Sequence, residues 1–113
     1  MSNMSLDESA FHAAADATLS AMMETIEDAL GDVLDVDMDG AILTIELDSG
    51  GCYVINKHAS SRQIWMSSPV SGATHFGYCA EKGWLSTRSD ESLAGMLAVE
   101  LAAATGKAVN LGI

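Results

Sequence analysis

The apolar residues of this chain change their period at about residue 35, and that change constrains the fold more than any other feature. Before it, Phe11, Ala15, Leu19, Met22, Ile26 and Leu30 recur at intervals of three and four, the spacing that lines one side of an α-helix. After it, Leu43, Ile45 and Leu47 alternate with Thr44 and Glu46, as in a strand with one buried face. A helix is expected over 6–30, capped by Ser5 or Asp7 and ended by Gly31. Asp7 and Glu8 suit the positive end of its dipole.

The rest of the chain reads as strands and a second helix. Asp39-Gly40 is a tight-turn signal that makes 35–38 and 41–48 a hairpin, and Gly50-Gly51 leads into a strand over 52–58. Further strands are expected over 63–67, 73–79 and 83–87, separated by Ser-Ser, Pro-Val-Ser-Gly and Glu-Lys-Gly clusters. Ser89, followed by Asp90 and Glu91, opens a helix with an apolar face of Leu93, Met96, Leu97, Leu101 and Ala104, closed by Gly106. Strands joined by tight turns run antiparallel. The expectation is one domain over 1–113, an α+β two-layer sandwich with an antiparallel sheet of about six strands. The N- and C-terminal helices pack on one face, and the other face stays open.

Charge narrows the function. The net charge is −11, and twelve of the sixteen acids lie at or before Asp48, while all five Lys and Arg follow Asn56. Such a chain repels nucleic acids and anionic membranes and attracts cations or basic partners. The longest apolar run, Leu93 to Ala104, is interrupted by Glu100 and falls short of a membrane span. The N-terminus has neither a secretion signal's basic start nor the Arg-rich character of an organelle presequence. The expected location is cytosolic, or the chain is an already processed one. Cys52 and Cys79 stand far apart, outside any C-x-x-C pattern, and are expected as free thiols.

Asp16, Ser20, Glu24, Glu27 and Asp28 gather on the helix flank away from the apolar stripe, with no Lys or Arg interleaved. His12 stands one turn before Asp16, so the two can face each other. Carboxylates with one imidazole suit Fe(II), Fe(III), Mn(II) or Ca(II), and exposed carboxylates without a cage bind such ions weakly. A competing site is 35–46, which satisfies the calcium-loop pattern D-x-D-x-D-G-x5-E through Asp35, Asp37, Asp39, Gly40 and Glu46. Its context argues for a hairpin: the following residues alternate with period two, and Leu43 occupies a ligand position. Further along, Trp65 lies between Ile64 and Met66. If those two face the core, alternation turns Gln63, Trp65 and Ser67 to the open face, where an exposed Trp is an interface anchor.

The pieces Tyr53-Val54-Ile55-Asn56-Lys57, Gln63-Ile64-Trp65 and Ser67-Ser68-Pro69-Val70-Ser71-Gly72 resemble the central signature of the frataxin family, in its mitochondrial and alphaproteobacterial form. Phe11-His12, Ala15-Asp16, Thr18-Leu19, Glu27-Asp28 and Gly83-Trp84 match in position, so the resemblance covers nearly the whole chain. It implies the same helix–sheet–helix sandwich and an iron-binding accessory protein of iron–sulfur cluster assembly. The implied iron ridge carries onto Asp16, Glu24, Glu27, Asp28 and Asp35. The implied docking motif for cysteine desulfurase and its scaffold protein carries onto Asn56, Lys57, Gln63 and Trp65, with Arg62 at a usually basic position. His58, His75 and Gly77 depart from the pattern. A weak ferroxidase using the same carboxylates is the enzymatic alternative, and a monomer with iron-driven oligomers is the expected state.

Overall fold

The structure is a computed structural model and describes residues 7–79 and 83–111. Ser5 and Leu6 of the expected helix start, and Glu81-Lys82 of the expected turn, lie outside the described residues. Helix α1 (Glu8–Leu30) is followed by β1 (Leu34–Asp39), β2 (Ile42–Leu47), β3 (Cys52–His58), β4 (Gln63–Ser68), β5 (Gly72–Cys79), β6 (Gly83–Ser86) and helix α2 (Leu93–Thr105).

Helix α1 buries Phe11, Ala15, Leu19, Met22, Ile26 and Leu30, the stripe its sequence period marks out. Each of these burials except that of Ala15 is worth roughly 1.5–3 kcal/mol, so packing rather than helix propensity holds it. Asp7 caps the start, its Oδ1 accepting the Ala10 N–H at 2.7 Å. Gly31 ends it, as expected. Its φ of −62° is right-handed, and its N–H still donates to the Glu27 carbonyl. Glycine is needed here because a Cβ would run into that carbonyl oxygen.

The six strands form one antiparallel sheet in chain order, β1-β2-β3-β4-β5-β6. Asp39 pairs with Ile42, leaving Gly40 and Ala41 as the hairpin turn, and Gly40 supplies the positive φ of 63° that such turns require. Leu43, Ile45, Tyr53, Ile55, Ile64, Met66 and Phe76 point to the core with both helices. The alternate residues form an open face, as the two-layer expectation requires.

Helix α2 begins at Leu93, capped by Ser92, whose Oγ accepts the Gly95 N–H. Ser89 is not the cap. Its hydroxyl accepts the Glu91 N–H in a local turn, and the segment after it is still tied to the sheet through Ser86 N–H to Glu91 carbonyl and a Leu85–Ser92 bridge. The buried face is Leu93, Leu97, Ala98 and Leu101; Met96 is half-buried and Ala104 exposed. Gly106 closes the helix in the left-handed conformation, φ 75°.

Candidate functional site

Two surfaces carry the residues singled out in the sequence: the acidic flank of α1 and the open face of the sheet. On α1, Asp16, Glu24, Glu27 and Asp28 are exposed and His12 half-exposed. His12 does not pair with Asp16. Its Nε2 is 3.8 Å from Glu8 Oε2, while Asp16 Oδ1 accepts from Lys57 Nζ at 2.8 Å. Asp35 lies elsewhere. It alternates with Leu34 and Val36, which pack on the core, so its carboxylate sits on the open side of edge strand β1, directly across from Glu46. Among the described residues, no three His, Cys, Asp or Glu side chains come close enough to hold one ion together.

The 35–46 segment is the β1–β2 hairpin, not a loop between helices. Asp35, Asp37 and Asp39 are spaced along one face of an extended strand, about 7 Å between successive carboxylates, so they do not wrap a single ion as a calcium loop does. They line the acidic margin of the open face.

The residues expected to dock a partner divide between two sides of the sheet. Asn56, Gln63 and Trp65 are on the open face, where Asn56 pairs with Trp65 and Trp65 with His75. Lys57 is on the helix side, beside Asp16 and Leu19, because strand alternation places it with Ile55. Arg62 occupies the β3–β4 turn with φ 52°, a left-handed residue without being glycine.

Trp65 is held at its N–H and on both ring faces. Its Nε1 donates to Gln63 Oε1 at 2.8 Å. The His58 ring stacks on one indole face at 3.7 Å between centroids, and the His75 ring on the other at 4.1 Å, tilted by only 8° and 11°. Sequence reasoning marked both histidines only as departures. Their signal was in the register: once turn lengths are set, His75 falls opposite Trp65.

A second cluster also escaped the sequence. Glu100, the lone acid inside the apolar run, accepts from Tyr53 OH at 2.9 Å, Ser68 Oγ at 2.6 Å and Ser71 Oγ at 2.7 Å. Burial, and then the Glu100 carboxylate, pushes the Tyr53 hydroxyl up to about 12. This cluster joins α2 to β3 and to the β4–β5 turn, a structural role.

The family model for a frataxin-like domain matches residues 4–107. The chain belongs to the frataxin family. It is 40% identical over 103 residues to the mitochondrial frataxin homolog of Schizosaccharomyces pombe, covering 87% of this chain and 65% of that protein, so it spans under two thirds of that relative's length. It is 40% identical over 100 residues to the iron-sulfur cluster assembly protein CyaY of Thioalkalivibrio sulfidiphilus, covering 86% of this chain and 92% of that one. The fold matches frataxin from Psychromonas ingrahamii with a TM-score of 0.85 at 24% identity, over 96% of this chain and 100% of that one. It also matches trimeric frataxin from Saccharomyces cerevisiae complexed with ferrous iron, TM-score 0.68 at 30% identity, over 94% of this chain and 92% of that one. No helix among the described residues is long and apolar enough to cross a membrane.

Proposed function

We propose that this frataxin-family chain is an accessory protein of iron–sulfur cluster assembly that carries iron on one surface and docks on the assembly machinery with another. The observation that carries the proposal is the uncovered sheet face with Trp65 fixed in it, in a chain 40% identical to a protein named for cluster assembly. Two helices cover one face of the sheet; nothing in the described chain covers the other.

Iron is cargo in this proposal. The exposed carboxylates of Asp16, Glu24, Glu27 and Asp28, with His12 at the start of the row, take Fe(II) or Fe(III), hard ions that suit oxygen ligands. Asp35 serves a separate end of the acidic surface. Carboxylates spread along a helix hold such an ion by one or two contacts with water completing its shell, which favours release over storage. One ion shared by carboxylates of two chains would give iron-driven association, in line with the trimeric description of the yeast relative. The docking face is Asn56, Gln63 and Trp65 with Arg62 at its edge, and Lys57 supports it from behind. Its partner is the cysteine desulfurase with its scaffold protein.

An anaerobic amide NMR titration tests the iron half: Fe(II) should broaden residues 12–28 while Ca(II) leaves 35–46 unmoved. Binding of Ca(II) by 35–46 at micromolar concentration, with no effect of Fe(II), would overturn it. Retention on an immobilised desulfurase–scaffold complex tests the docking half, and Trp65→Ala should abolish it without unfolding the chain.

A further inference from the structure

The three stacked rings decide what kind of surface a partner meets. Both faces of the Trp65 indole are covered, by His58 and His75, and its N–H is spent on Gln63. Only the rim of the indole is open. An aromatic rim carries the positive end of the ring quadrupole, and each imidazole has a ring N–H to donate. His58 Nδ1 is engaged with Ser61 Oγ at 3.1 Å, and with the serine hydroxyl as donor there the free N–H is on Nε2; no described residue hydrogen-bonds the His75 ring.

Charge points the same way. Among the described basic residues, Lys57 and Lys107 are neutralised by Asp16 and Asp32, whereas Arg62 and Arg88 make no ion pair with any described residue. These two residues border the slab. Arg62 stands in the turn that joins His58 to Gln63, and Arg88 shares a cleft of about 360 Å³ with His75, Ala73 and Thr87. In a chain of net charge −11, the unspent cations of the described residues are therefore gathered on this strip. The opposite margin of the same face carries Asp35, Asp37, Asp39 and Glu46, all exposed.

We propose that the strip Arg62–His58–Trp65–His75–Arg88 is a recognition surface for a short acidic segment of a partner protein. The inference rests on the docking role of this face and specifies its chemistry. Carboxylates are acceptors only and match the imidazole N–H groups, the indole rim and the two guanidinium forks. A cationic segment is disfavoured because it would need an indole face to stack on, and neither is open. A nucleic acid is disfavoured by its length, since a long polyanion would run off the strip onto the exposed Asp35, Asp37, Asp39 and Glu46. The strip crosses three strands and a flanking turn, on the order of 15 Å, which suits a handful of extended residues. The acidic β1–β2 margin repels any continuation of the segment and so fixes the side on which it lies.

The test uses the ¹⁵N-labelled full chain at low ionic strength, with hexaglutamate and hexalysine peptides as probes. Hexaglutamate should shift the Trp65 indole N–H and the amides of His75 and Arg88; hexalysine should shift residues 16–28 and leave the Trp65 indole in place. Arg62→Glu combined with Arg88→Glu should weaken hexaglutamate at least tenfold, with an unmoved Trp84 indole signal reporting an intact fold. An unmoved Trp65 indole with hexaglutamate, a larger shift with hexalysine, or wild-type affinity in the double variant would overturn the inference. The immobilised desulfurase–scaffold complex separates the two ideas. Retention on it without hexaglutamate binding defeats the acidic-segment chemistry and spares docking; hexaglutamate binding without retention spares the chemistry and defeats that choice of partner.

Discussion

Lys57 Nζ lies 2.8 Å from Asp16 Oδ1, an ion pair that joins the third strand of the sheet to the acidic flank of the first helix. The lysine side chain is 17% exposed and the aspartate 55%, so the cationic end is fixed and the anionic end is open to a ligand. A metal ion that takes Asp16 competes with this lysine. Lys57→Met should therefore raise Fe(II) affinity at the His12–Asp16 end of the helix a few-fold. It should change stability by no more than about 1 kcal/mol, as expected for a pair with one exposed partner. Isothermal titration under nitrogen checks the first and urea unfolding the second. A fall in affinity would mean that the lysine positions Asp16 for the ion.

Tyr53 makes stability depend on alkaline pH. Its hydroxyl is pushed up to about 12 by burial first and Glu100 second, against about 10 in an unfolded chain. The folded state thus favours the protonated phenol. That contribution is complete below about pH 10 and is lost as pH rises toward about 12, with a size on the order of 2–3 kcal/mol. Urea midpoints measured from pH 9 to 12 should fall across this window in the wild type, and Tyr53→Phe should flatten that part of the fall. An equal slope in both proteins would remove Tyr53 as its source.

Glu100 accepts three hydroxyl hydrogen bonds, and its loss leaves Tyr53 and Ser68 without their acceptor in a part-buried site. Glu100→Ala should cost about 2 kcal/mol or more. The β4–β5 turn should loosen with it, because Ser68 Oγ also accepts the Val70 and Ser71 amides. Hydrogen exchange at those two amides should accelerate more than at the core of β4. Unchanged exchange there would show that the turn holds without the carboxylate.

The α1 stripe was legible because its period alone selects one helix face, and every residue of that stripe is buried. The strands were legible for the same reason, and their ends shifted by no more than one residue. What escaped depends on distance in sequence. Ser89 and Ser92 are equally good caps locally, and the choice between them is made by the Leu85–Ser92 bridge to the sheet. Lys57 is grouped with the expected docking residues in sequence, yet one step of strand alternation turns it toward Asp16. The His58–Trp65–His75 stack needs the register of three strands, which pattern reading leaves free until every turn is counted.

The acidic flank itself makes the last prediction. Glu24, Glu27 and Asp28 are exposed on one helix without a Lys or Arg among them, and neighbours three or four apart repel by a few tenths of a kcal/mol per pair, roughly. Glu27 and Asp28 also stand near the C-terminal end of α1, where the helix dipole disfavours negative charge by about 0.3–1 kcal/mol. Both effects weaken the fold, so a solubility role alone would be met better by mixed charges. The triple change Glu24→Gln, Glu27→Gln, Asp28→Asn should raise the unfolding free energy by about 1 kcal/mol in low salt, and the gain should shrink as salt screens the charges. The same variant should lose Fe(II) broadening over residues 24–28 and keep it near Asp16. A variant that is less stable than the wild type would assign these carboxylates a structural partner. One that is more stable yet binds Fe(II) as before would remove them from the iron surface.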